Sequence, residues 1–248
     1  MNGKRVLSIT IIVVALFSVS LIAQQKSVPY DYPVKPGTKE WKAFTSRDQK
    51  EAACQIPIHL LSSMSTKDLL VTCLNYPLYG DMMAYDRVQE GFEFVKKGFN
   101  GLQELLKRKD LGAALVEEYG KMDPDAIDSN WTSIKKGEYS LKFFSIEILL
   151  AQDEVIINLS KNDRIQLLKE SYKKLRAKQQ HPEVYGLMGF TNNALFIGRI
   201  MLKENYAPFV EFASKEARLN EILQFTIPSG KEYISKILEY AEKYLEQK

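Results

Sequence analysis

The chain has 248 residues, 34 Lys and Arg against 31 Asp and Glu, 45% hydrophobic side chains, 2 cysteines and 2 histidines. Near-balanced charge excludes a broad polyanion-binding field, so nucleic acid is not an expected partner. The hydrophobic content is enough for a substantial core, so disulfides would help but would not be its only support.

The N-terminus reads MNGKRVLSITIIVVALFSVSLIAQQK. Lys4 and Arg5 precede an apolar run from Val6 to Phe17 and then small residues, the layout of a secretory signal peptide. Cleavage after Ala23 is expected, with Ser18-Val19-Ser20 as the alternative site; an uncleaved anchor is the competing reading. No other segment is apolar enough to span a membrane once residues 1–23 are removed. That removal takes two basic residues and no acid, leaving 32 basic against 31 acidic. Exported, periplasmic or extracellular, is the expected location.

Residues 24–45 carry prolines at Pro29, Pro33 and Pro36 and read as an extended N-terminal arm, loose or laid across the domain. Residues 46–248 read as a single α-helical domain. Ser46 caps RDQKEAACQ, Pro57 opens a short second helix, and Ser65 caps TKDLLVTCLN before Pro77. Apolar residues then recur at three- and four-residue spacing in AYDRVQEGFEFVKKGF, NGLQELLKR and DLGAALVEEYGKM. After the loop MDPDAIDSNW come YSLKFFSIEILLAQ, NDRIQLLKESYKKLRAK, TNNALFIGRIMLKEN and SKEARLNEILQF. The last helix, SGKEYISKILEYAEKYLEQ, has a Ser229–Glu232 capping box and puts Tyr233, Ile237, Tyr240 and Tyr244 on one face. Strand and hairpin signals are weak. The expected fold is all-α, a multi-helix antiparallel helix-pair array. Residues 102–119 weakly repeat in 146–172, which points to a short HEAT- or armadillo-like α-solenoid. Chance likeness between leucine-rich hairpins is the alternative.

Candidate chemistry is sparse. In an exported chain, Cys54 and Cys73 are expected to form a disulfide, which would contribute roughly 3 kcal/mol by closing a loop of about 20 residues. Buried free thiols and a reactive pair are the alternatives. His59 and His181 are too few, with two cysteines, for a zinc site. Ser133-x-x-Lys136 and Ser171-x-x-Lys174 match the spacing of serine acyl-enzymes, but abundant lysine produces that pattern by chance. The Asp123-Pro-Asp125-Ala-Ile-Asp128 loop fails as a calcium loop, because Ile127 and Ile134 fall where ligands belong. Trp41 and Trp131 are the candidate binding residues, as anchors or as stacking surfaces. No metal and no cofactor are implied. The glycine-rich HPEVYGLMGFTNNALFIGRIM allows close helix approach or lines a groove.

YPVKPGTKEWKAF and the following AACQIPIHLLSSMSTKDLLVTCLNYPLYGDMMAYDRVQEGFEFVKKGFNGLQELLKR resemble a family of exported, functionally uncharacterised helical proteins of Gram-negative bacteria. The resemblance covers about residues 32–110 and implies export and a helical fold; it brings no catalytic residues. The expected function is a binding or scaffold module for a protein or peptide partner, without buried titratable clusters. The alternative is a carboxylate-dependent hydrolase or lyase.

Overall fold

A computed structural model describes residues 27–225 and 231–248. The expected signal segment 1–23 and Ser229 of the expected capping box lie outside the described residues.

All regular elements among the described residues are helical. The first four are short, and local caps account for their ends. The helix α1 (Lys39–Ala43) starts where the Thr38 hydroxyl accepts from the Trp41 amide. Ser46 and Gln49 form a reciprocal capping box on α2 (Arg47–Ala53). Pro57 precedes α3 (Ile58–Ser63), and Ser65 caps α4 (Thr66–Leu74) by accepting from the Asp68 amide. A 3-10 turn, Tyr79–Ala84, leads to α5 (Val88–Gly98), α6 (Asn100–Leu105) and α7 (Leu111–Gly120).

The second half is built from longer helices. These are α8 (Ser133–Leu150), the single turn α9 (Asp153–Ile156), α10 (Lys161–Lys178) and α11 (Pro182–Lys203). The chain continues through α12 (Ala207–Lys215), α13 (Ala217–Phe225) and α14 (Lys231–Leu245). Two helices begin earlier than their apolar periodicity predicts. Capped by Thr132, α8 begins six residues before the expected Tyr139, because its first turns are exposed and carry no apolar stripe. Pro182 opens α11 as its first residue, and Gly186 (φ +56°) then kinks it.

The arm is laid down on α4. The Tyr30 amide donates to Thr72 Oγ1 (2.8 Å) and the Tyr32 phenol to the Thr72 carbonyl (3.1 Å). Tyr32 is 3% exposed and packs beside the stacked pair Tyr76–Phe99, whose ring centroids are 3.9 Å apart. One contiguous core runs from Tyr32 to Tyr244. Its fully buried phenylalanines, Phe92, Phe99, Phe143, Phe196 and Phe209, contribute roughly 1.5–3 kcal/mol each by burial. That is ample support for a fold without a covalent staple.

The packing has a hub. From Gly189 to Gly198 every residue of α11 is buried, and α8, α10, α12, α13 and α14 all pack on it. A solenoid repeat touches only its sequence neighbours. In the second half of the chain the helices surround one central helix instead. Helix α5 likewise meets the distant α13, an association the weak internal repeat does not foreshadow.

Candidate functional site

The buried face of α10 is Leu167, Leu168, Ser171, Lys174, Leu175 and Lys178. Three- and four-residue spacing makes this one stripe, so a serine and two lysines stand where apolar residues are expected. Facing them is the uninterrupted buried run of α8 from Phe143 to Leu150, with Glu147 in its middle. Helix α11 adds Asn192 and Asn193, and α7 adds Tyr119.

Three of these side chains converge on one carboxylate. Glu147 Oε1 accepts from Lys178 Nζ at 2.6 Å, from the Tyr119 phenol at 2.9 Å and from Asn193 Nδ2 at 3.0 Å. Ser171 Oγ donates to Asn193 Oδ1 (2.6 Å) and lies 3.4 Å from the Tyr119 oxygen. Glu147 and Lys178 are both 0% exposed. Glu147 Oε2, by contrast, has no partner, and neither have both polar atoms of Asn192. The ammonium of Lys178 sits 4.7 Å from the Phe143 ring centre and 5.4 Å from that of Tyr185. Burial pushes Glu147 up and Lys178 down from their ordinary values, against the attraction of the pair. Burial likewise raises the Tyr119 phenol, with the Glu147 charge adding to it. Proton transfer across a short contact between an acid and an amine is the chemistry such a cluster holds.

The segment between α7 and α8 covers this cluster. Lys174 Nζ donates to the Met122 carbonyl, the Tyr139 phenol to that of Asp123 (2.6 Å) and the Tyr185 phenol to that of Pro124 (2.8 Å). His181 Nε2 and Asp125 Oδ1 meet at 3.1 Å. Three consecutive carbonyls are thus held by side chains of α10, α8 and α11, with Pro124 buried beneath them. The loop that fails as a calcium site is a strap.

A second feature is open. A groove of about 930 Å³ lies between α5, α9, α11 and α13. The carboxamides of Gln89, Gln152, Asn220 and Gln224 line it, above Ile156, Leu202 and Leu223. Glu93, Asp153 and Glu154 stand on it with Arg199 and Lys203. Gln89 and Gln152 bond each other (2.8 Å). Arg199 spends its donors on the carbonyls of Ala151 (2.5 Å), Leu223 (2.7 Å) and Gln224 (2.9 Å), the ends of α8 and α13.

The residues singled out from sequence fall elsewhere, with two exceptions. Ser171 and Lys174 both join the buried cluster, but the Lys174 ammonium bonds Glu170 (2.8 Å) and the strap rather than the serine. His181 clasps the strap. His59 is exposed on α3 and Ser133 opens the exposed end of α8. Trp41 packs edge-on to Phe44 at 6.3 Å, and Trp131 edge-on to Tyr139 at 5.1 Å with Lys135 4.4 Å above it. Neither tryptophan borders the groove. The expected Cys54–Cys73 disulfide is not formed: both are buried free thiols. The arm's Tyr32 lies within the influence of both, and burial pushes Cys54 up to about 11 and Cys73 well above its ordinary value. Among the described residues no acid, histidine and cysteine cluster could hold a metal ion, and no helix is long and apolar enough to cross a membrane.

The sequence carried one signal for the buried cluster. Glu147 interrupts FFSIEILL, and Ser171 and Lys178 interrupt the α10 stripe, so three polar residues occupy apolar positions. Their convergence needs the tertiary packing of α8 on α11 and α11 on α10. No protein-family model, no curated protein and no solved structure matches the chain. Fold and site define an all-α protein with an open carboxamide-lined groove and a covered acid–amine cluster.

Proposed function

We propose that the protein is an exported helical binding module that takes an extended peptide segment of a partner into the groove between α5, α9, α11 and α13. The observation that carries this reading is the lining itself. A carboxamide offers a donor and an acceptor together, matching the N–H and C=O of a peptide unit. Four carboxamides line the groove with the apolar Ile156, Leu202 and Leu223. Gln89 and Gln152 bond each other and Asn220 Nδ2 bonds the Ala213 carbonyl, so Gln224 and the remaining donors and acceptors of Gln89 and Asn220 are the ones a peptide would meet. The basic–apolar N-terminus supports export. The buried Glu147–Lys178 cluster is more than a simple binding module needs, and it has no part in this reading.

Selection of a displayed random-peptide library on the mature chain tests it. Enriched peptides should bind the protein and lose roughly 30-fold in affinity when Asn220 and Gln224 are both changed to Ala, since each peptide hydrogen bond contributes about 1 kcal/mol. Binding unchanged in that variant, or no enrichment, removes the groove as the site. Fractionation with N-terminal sequencing tests export separately; a cytoplasmic chain that keeps residues 1–23 refutes it.

A further inference from the structure

We propose that Lys178 is a carbonyl-reactive amine, reached when the strap Met122–Asp125 lifts, and that the Glu147 cluster is a site for covalent capture of a small aldehyde or ketone. The geometry supplies each part. The amine lies 2.6 Å from a carboxyl oxygen and against two aromatic faces, Phe143 and Tyr185. The far oxygen of that carboxyl, Glu147 Oε2, is buried and has no partner, so it is free to receive a hydroxyl or deliver a proton. The Ser171 hydroxyl and the Asn193 carboxamide stand beside it, bonded to each other and to the carboxylate, and would exchange these bonds for ones to the carbonyl oxygen. Burial also favours the uncharged amine and the protonated acid over the ion pair.

The step balances within the pair. Neutral Lys178 attacks the carbonyl carbon, and the proton released from nitrogen goes to the carbonyl oxygen, giving a carbinolamine. Glu147, holding one proton, gives it to the hydroxyl, which leaves as water. The product is a protonated imine on Lys178 beside the Glu147 carboxylate, so the new cation is paired with the new anion.

The strap is built to move. Residues 121–132 have no regular structure and are pinned by side chains reaching their carbonyls rather than by a backbone ladder. Such segments open at far lower free energy than the surrounding core. Tyr139 and Asp125 hold it without bonding the amine.

The test is reductive trapping on the native full-length chain, with acetaldehyde as probe and cyanoborohydride as reductant, followed by peptide mapping. Lys178 should carry the reduced adduct. Tyr139→Phe and Asp125→Asn, which loosen the strap without touching the amine, should each raise its labelling rate about tenfold while exposed lysines such as Lys215 are unchanged. If one variant fails to fold, the other still decides. Lys178 left unlabelled while Lys215 reacts, or labelled only in denaturant, overturns the capture site. Labelling that both strap variants leave unchanged overturns the gate.

Discussion

Lys178 Nζ lies 2.6 Å from Glu147 Oε1 with both side chains fully buried, and among the described residues it is the only cation that bonds this carboxylate. Removing one partner leaves an uncompensated charge, or forces the survivor neutral. Lys178→Met is therefore expected to destabilise the fold by about 3–5 kcal/mol in urea titration. Changing both, Glu147→Leu with Lys178→Met, is expected to recover most of that loss, because a packed apolar pair avoids desolvation altogether. A double variant no better than the single one would mean that Tyr119 and Asn193, not the ion pair, hold the cluster together.

The two cysteines give a prediction in mass and in pH. Alkylation in denaturant without reductant should add two groups, since both thiols are free, and native Cys73 should resist alkylation at neutral pH. Burial raises Cys54 from 9.0 to about 11. A group raised in the folded state contributes stability that is complete below its unfolded value and lost as pH climbs through the folded one. Stability should accordingly fall between about pH 9 and 11, and Cys54→Ala should flatten that slope. The slope is read from urea midpoints across the pH series.

How much of this was legible beforehand divides by the range of the interactions. Caps at Ser46 and Ser65 depend on neighbours a turn away and are plain in the sequence, as are Ile237 and Tyr244 on the buried face of α14, where Tyr233 and Tyr240 are half-buried. The start of α8 is set by Thr132, ahead of any apolar pattern. The single-turn α9 and the 3-10 turn Tyr79–Ala84 are too short for periodicity to mark. The cluster is harder still. Glu147 and Lys178 are 31 positions apart on different helices, and only their presence at apolar positions hints that they meet. The cysteine expectation failed on a different ground: compartment and even count favour a bond, but nothing in a linear spacing fixes whether two buried sulfurs approach.

Two glycines should respond in opposite directions to alanine. A Cβ on Gly91 of α5 would stand 2.2 Å from the Met82 carbonyl oxygen, a backbone atom of the 3-10 turn that cannot swing aside. Gly91→Ala should destabilise by about 1–3 kcal/mol through overpacking. Gly137, inside α8, has nothing within 4 Å of that position. Gly137→Ala should stabilise by about 0.5–1 kcal/mol through helix propensity. Thermal melts of the two variants, side by side, check both.

Arg199 is the cation at two helix ends at once. Its guanidinium donates to Ala151 at the close of α8 and to Leu223 and Gln224 near the close of α13, where unpaired carbonyls concentrate partial negative charge. Only a planar fork with several fixed donors reaches three carbonyls together, so lysine is not an equivalent. Arg199→Lys should leave at least one carbonyl without its donor, and Arg199→Met all three. The cost should fall mainly on α13, since Ala151 also sits on α8, which the core holds from Phe143 onward, whereas α13 buries only Leu219, Ile222 and Leu223. Hydrogen exchange should therefore rise selectively over residues 217–225 in Arg199→Met, with α10 and the core of α11 still protected. Gly198 sharpens the expectation: a Cβ there would meet Leu223 Cδ2 at 2.5 Å, so α13 is seated against α11 at that point. Uniform loss of protection across the protein would mean that Arg199 supports the whole fold, and unchanged exchange in 217–225 that burial alone seats the helix.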